Sequence, residues 1–424
     1  MKSHYLVLAV LLAAAMPSQR LAQAAEPRRL GLEDALRLAA SRNRDVLSAG
    51  RTIEAVAADR DTAAQTPAPQ LSLNSTQFDP SRPGGGGLWS KRADTVIRVD
   101  QTVERGDKRK LRMAAAASAY AAARADADEM LRQQRLAVSN AYWDLKLAQS
   151  QLANAQDNQR IAEQSSAAAG LRRKAGDLSR IEAERLTVEA QRGANGVATA
   201  QAQLGRARLA LAILLADEKA ASSLEAADAW PPFEVLPDVA DAACLNRADV
   251  KAARTRVALA LENFQLARAQ AVSDITVGLQ YEHFPPDAGN TLGVGISLPL
   301  FLAGRQDGAI RRAGVARAEA EAALERVTSQ ACSDLGQARR EAEIARARLD
   351  RYDHALLPQA RQVADSSQFA RDHGALSLQD LLDARRTLFA VRLETEQAHA
   401  DFAKALAALR EAAGDIPAAS REQP

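Results

Sequence analysis

The sequence predicts a mainly α fold with a transmembrane β-barrel, in which long coiled-coil helices and four strands form two copies of one unit. The first observation is an internal duplication. "AGDLSRIEAERLTVEA" (175–190) and "HGALSLQDLLDARRTL" (373–388) place Gly176 and Gly374 at an offset of 198 residues (374 − 176), and "ERGDKRKLRM" around Gly106 meets "LAGRQDGAIR" around Gly304 at the same offset. "NRDVLSA" (43–49) and "NRADVKA" (246–252) also correspond. The second is composition: aromatics are only 4%, and the 25% of charged residues are nearly balanced at a net charge of +2, with abundant alanine, which suits long packed helices. So small a charge offers no basic face for nucleic acid. The third is a set of four short segments that alternate with period two.

In chain order, Lys2, the apolar run from Tyr5 to Ala15 and Ala22-Gln23-Ala24 read as a signal peptide over 1–24, with an amphipathic anchor helix as the alternative. Beyond it no window reaches the ~20 apolar residues of a membrane helix. A first repeat is assigned to 25–218, a linker or equatorial segment to 219–238, a second repeat to 239–414 and a flexible tail to 415–424.

"QLSLNSTQF" (70–78) and "DTVIRVDQTV" (94–103) form one predicted hairpin, and "DITVGLQYEHF" (274–284) and "TLGVGISLPLF" (291–301) the other, each closed by a loop of turn formers. Four strands of about 10 residues, apolar on one face and polar or glycine on the other, match an outer-membrane barrel wall. Four strands cannot close around a lumen, and bare edges are not tolerated in lipid. Three copies, giving twelve strands, are the simplest closed solution. The alternative is a small sheet capping a soluble helical protein.

From Asp107 to about Lys174 there is no proline. Leu131, Val138, Leu145 and Leu152, with Ala141, Ala148 and Ala155, trace a coiled-coil seam on a rod on the order of 100 Å long. In the second repeat Leu335, Ala342, Leu349 and Leu356 share one seven-residue frame, with Ala338, Ala345 and Tyr352 at the alternate position. Pro358 interrupts that rod and is expected to bend it.

No catalytic arrangement, metal site or cofactor motif is expected. His4, His283, His354, His373 and His399 have neither histidine nor cysteine partners at metal-ligand spacing, and each is expected to be a solvated surface residue. An energy source would come from a partner. The only cysteines, Cys244 and Cys332, are an even number in an exported chain. If both lie on continuous helices descending from the barrel, they reach ~45 Å and ~42 Å below it and can meet. They are then either a disulfide or two small buried hydrophobes on helices that face apart.

The chain resembles the TolC-like outer-membrane efflux proteins over nearly its whole mature length. The likeness rests on "LGLEDALRLAASRNRDVLSA", "VGISLPLFLAGRQDGAIRRA" and "HGALSLQDLLDARRTL", and the spelling "VGLQYEHFPPDAGNTLGVGISLPLF" is most similar to the heavy-metal efflux branch. The resemblance implies a homotrimer, with a 12-stranded barrel in outer-membrane lipid and a helical barrel crossing the periplasm. It also implies partnership with a periplasmic adaptor protein and an inner-membrane RND-type pump, and passive export of small toxic solutes or heavy-metal cations. A duct for type I protein secretion and a periplasmic helical-hairpin adaptor remain alternatives. Gly176 and Gly374 would make the helix-tip turns, where a tight reversal favours positive φ. Asp380 and Asp383, three apart on one helix face, match acidic positions of the family's periplasmic constriction. The competing reading is that they only complement a helix dipole. Leu376 stands where some members carry a gate-tying arginine, and Glu182 and Arg185 occupy the equivalent places in the first repeat.

Overall fold

The computed structural model describes residues 28–76, 94–233, 236, 239–283, 289–300, 304 and 306–414. The signal peptide, most of both strand-connecting loops and the tail assigned from sequence lie outside these residues.

The first unit runs β1 (Arg28–Leu30), α1 (Leu32–Arg42), α2 (Arg44–Ala63), β2 (Gln70–Thr76), β3 (Asp94–Val103), α3 (Lys108–Ala175) and α4 (Arg180–Leu214). A 3-10 turn (Glu218–Ser223) and β4 (Leu224–Ala226) follow. The second unit runs from a 3-10 turn (Asp241–Asn246) through α5 (Ala248–Ala269), β5 (Ile275–His283), β6 (Asn290–Ser297), α6 (Asp307–Arg351), α7 (Leu357–Asp372) and α8 (Leu378–Ala412). The duplication read from sequence is thus a repeated order of helix, strand hairpin and helical hairpin. No described helix is long and apolar enough to cross a membrane.

Local chemistry starts the helices where the sequence signals them. Asn43 accepts from the backbone N–H groups of Asp45 and Val46 and so caps α2. Ser179 and Glu182 form a reciprocal capping box at α4, and Ser377 caps α8. α3 runs unbroken for 68 residues. Val138, Ala141, Leu145 and Ala148 of its seam are buried against Leu204 and Leu211 of α4, Leu215 just beyond it, and Leu30 and Leu224 of the β1–β4 pair, and Ala155 is buried further along the rod. Tyr142, fully buried, donates to the Leu30 carbonyl and accepts from the Asp228 N–H, and burial pushes its phenol pKa up. The parallel β1–β4 pairing was not anticipated from sequence, because three-residue strands carry no period.

The second seam holds from Leu335 through Ala338 and Ala342 to Leu349, all buried, and then fails: Leu356 is 42% exposed. A single π-helical turn, Tyr352–Leu356, is the cause. Pro358 has no N–H to offer and its ring crowds the carbonyl four residues back, so the preceding turn widens and the seam loses its frame. β6 ends at Ser297, four residues short of the expected stop, ahead of Pro299, which has no N–H for the ladder. Cys244 is not on a continuous helix: it lies in the 3-10 turn, separated from α5 by extended Arg247.

Candidate functional site: the sheet wall and the helical tip

β2, β3, β5 and β6 form one antiparallel sheet in the order β2-β3-β5-β6. Its register aligns like with like. Leu71, Val99, Leu279 and Val294 form one apolar row across all four strands, and Leu73, Ile97, Tyr281 and Leu292 form the next. These side chains share one face because alternate residues of a strand do. The face is bare on β6, where Leu292, Val294 and Ile296 are 78%, 77% and 74% exposed. The opposite face is polar: Ser72, Arg98, Gln280 and Gly293 face one another in one row, and Gln70, Asp100, Gly278 and Gly295 in another.

On that polar face Arg98 Nε donates to both carboxylate oxygens of Asp100 at 2.8 and 2.9 Å, and the guanidinium lies across the glycines of β5 and β6. A Cβ on Gly278 would sit 2.3 Å from an Asp100 oxygen and 2.8 Å from Arg98 Nη2. One on Gly293 would press the Gln280 side chain at 3.0 Å. The missing side chains on β5 and β6 therefore make room for those of β3 and β5 to lie flat against the wall.

At the other end of the rods, α3 turns into α4 at Gly176 (φ +87) and α7 into α8 at Gly374 (φ +76). Ala169, Ala183 and Leu186 of the first hairpin pack with Leu378 and Leu382 of the second, so the two turns sit side by side. Asp380 lies in the first turn of α8, where its carboxylate accepts from Ser377 Oγ at 2.6 Å. Asp383, one turn on, pairs with Arg386 at 3.0 Å, and Arg386 also reaches Glu189 on α4. Arg192 shares that glutamate at 3.3 Å. Arg385 donates to Ser165 Oγ of α3 at 3.0 Å and binds Gln368 of α7, and burial pushes its pKa down. Arg371 lies 3.8 Å from Glu182, and Arg185 Nη1 stands 3.5 Å from Gln379 Oε1. Successive arginines of α8 thus tie the second hairpin to both helices of the first.

Residues 239–415 match the family model described as outer membrane efflux protein. Over 376 residues, 86% of this chain and 85% of the relative, the sequence is 26% identical to the cobalt-zinc-cadmium resistance protein CzcC of Cupriavidus metallidurans. The second repeat thus carries the outer membrane efflux protein model, and the chain as a whole is similar to CzcC. Its fold agrees with the Campylobacter jejuni CmeC outer membrane channel at a TM-score of 0.77 (16% identity, 90% of this chain and 85% of that one). It agrees with the open state of the Neisseria gonorrhoeae MtrE outer membrane channel at 0.74 (20% identity, 90% and 88%). The likeness to these channels, at 16 and 20% identity, is one of fold.

Between wall and tip, the chain carries features that the sequence did not reveal. Trp230, from the segment joining the two units, stacks between Trp143 of α3 and His399 of α8, with ring centroids 5.7 Å from each. It also donates to Glu396 at 3.1 Å. His399 Nε2 lies 3.2 Å from Asp353 in the π turn. His399 is therefore not the solvated surface residue expected, because a histidine next to a tryptophan in space carries no mark of it in sequence. Among the described residues no group of His, Cys, Asp and Glu is arranged to hold a metal ion. Cys244 and Cys332 are joined, with Cα atoms 5.0 Å apart, within a cluster of Val250, Ala331, Leu335 and Leu409.

Proposed function

We propose that three copies of this chain close a 12-stranded barrel whose polar sheet face lines a duct, and that this duct is the outer-membrane component of a tripartite efflux system. A periplasmic adaptor protein and an inner-membrane RND-type pump would deliver small toxic solutes, with heavy-metal cations as the leading class. The observation that carries the reading is the pair of apolar rows crossing all four strands, together with the open edges of β2 and β6. A sheet with an apolar outer face fits lipid, and edges with unpaired backbone groups are tolerated there only once paired with another copy. The metal class rests on the relatedness to CzcC, named for cobalt, zinc and cadmium resistance. The duct need not bind what it passes, since the pump supplies the energy.

We place Asp380 and Asp383 at the periplasmic constriction, where threefold symmetry would turn each into a carboxylate ring. Arg386 already offsets Asp383, so Asp380 would dominate the ring's charge. Gly176 and Gly374 would set the tips. The test is loss of function: cells without this chain, but with its pump and adaptor, should accumulate cobalt, zinc or cadmium, and the restored chain should lower that content. Unchanged metal content, with raised content of an organic toxicant instead, would move the substrate class away from metals and keep the duct.

A further inference from the structure

Where β3 hands over to α3, cations gather at the lower margin of the apolar face. The odd-numbered positions of β3 run Ile97, Val99, Gln101 and Val103 along that face, and Arg105 is next in the alternation. Val103 and Met113 are exposed, as are Arg105, Arg109 and Lys110. Residues 104–112 hold five cations against two carboxylates, Glu104 and Asp107, and β5's approach adds Asp274. Lys108 is spent on Asp274 at 2.7 Å and Arg112 on Glu104 at 2.6 Å. Arg109 donates to the Ala64 carbonyl at the end of α2. The charge of Arg105 acts on Asp274, whose carboxylate also accepts from the Arg105 backbone N–H at 3.0 Å, but its exposed guanidinium makes no close ion pair there, and Lys110 is exposed one turn further on.

Helix stability does not account for these charges. The first turn of α3 is Lys108-Arg109-Lys110 with no acidic residue, which sets three cations at the positive end of the helix dipole. Lys110 and Met113, one turn apart, line a single open concavity of ≈ 420 Å³ with Lys108 and Arg109 and the carboxylates of Glu104 and Asp107, so cations outnumber carboxylates there three to two. Exposed apolar groups interleaved with long cationic side chains, directly below a lipid-facing band, form the pattern of a membrane interface.

We propose that this margin docks the phosphodiester headgroups of anionic phospholipids in the periplasmic leaflet, with Arg105 and Lys110 as the contacting cations. The proposal rests on the reading that the apolar sheet face meets lipid. The acyl chains would continue along Val103 and the rows above it, so a lipid fits where a free phosphate satisfies only half the surface. Purified full-length protein in neutral detergent would be titrated with dioleoylphosphatidylglycerol, dioleoylphosphatidylcholine or inorganic phosphate, and bound lipid counted by native mass spectrometry. Phosphatidylglycerol should bind the parent more tightly than phosphatidylcholine. R105Q and K110Q should each weaken it about fivefold. R172Q and K174Q, equal losses of charge at the distant tip, should leave it unchanged. Millimolar phosphate should not displace the lipid. Equal affinity of parent and R105Q/K110Q, or displacement by phosphate alone, would overturn the proposal. Fractionation of the same variants into the outer membrane separates this outcome from failure of the membrane reading, and two surface glutamines leave folding intact to be checked by helical signal.

Discussion

Removing the Cys244–Cys332 bridge is the perturbation whose size the structure fixes best. We propose that the bridge forms in the exported protein, where it ties the 3-10 turn before α5 to the middle of α6 and encloses 88 residues of sequence that include both strands β5 and β6. In the chain-entropy account, closing a loop of that length stabilises the fold by about 4.6 kcal/mol at 25 °C through restriction of the unfolded chain. The loop contains a sheet that lipid or detergent keeps partly ordered, so the gain realised in micelles should be smaller, about 2–4 kcal/mol. C244A/C332A costs little in packing by comparison, because alanine retains the Cβ of each residue within the cluster of Val250, Ala331 and Leu335. The assay is guanidinium unfolding followed by helical circular dichroism, for parent and double variant, each with and without reductant. The double variant should unfold at lower denaturant and ignore reductant, while reduced parent should fall to meet it. Coincident transitions for oxidised parent and double variant would refute the entropic argument. Full alkylation of both thiols in unreduced, denatured parent would refute the bridge itself.

Three further outcomes follow from the geometry. In planar bilayers D380A should reduce cation preference more than D383A, since Arg386 neutralises Asp383; equal and negligible effects would leave both aspartates as helix-terminus groups. G278A should lower the temperature at which the assembly survives in detergent, despite the better strand propensity of alanine, because its Cβ would meet Asp100 at 2.3 Å, whereas G308A, with nothing within 4 Å, should not. Burial would raise the pKa of Asp249, but its hydrogen bonds and charge contact with Arg247 outweigh that and hold it below the usual range. A depressed carboxylate adds stability above its unfolded value that is lost as pH falls through the folded one, so this contribution fades below about pH 4. D249N should cost roughly 2 kcal/mol at pH 7, less than a fully broken buried pair because Asp334 still meets Arg247, and should flatten the acid limb of stability measured by helical signal.

The parts of this molecule that were legible in sequence are those with a period or a punctuation. The seam from Val138 to Ala155, the four alternating strands and the glycines of both tip turns follow from local rules, and the duplication supplied each of them twice. The apolar and polar faces of the sheet were readable for the same reason, although the alignment of Leu71 with Val99, Leu279 and Val294 needed the register. What escaped were contacts between residues remote in sequence. Trp230 between Trp143 and His399, Arg386 on Glu189 and Arg98 over Gly278 join segments tens to hundreds of residues apart, and no local pattern encodes such a meeting. Pro358 announced a disturbance, yet its form, a π turn that releases Leu356 from the seam, has no signature in the local sequence.

The central claim is that the open edges of β2 and β6 are closed by other copies of the same chain. Native mass spectrometry of the protein released by mild detergent from isolated outer membranes tests it directly. The account predicts a mass of three chains that persists on dilution in detergent. A monomer, or a protein recovered from the soluble periplasm without detergent, would contradict it.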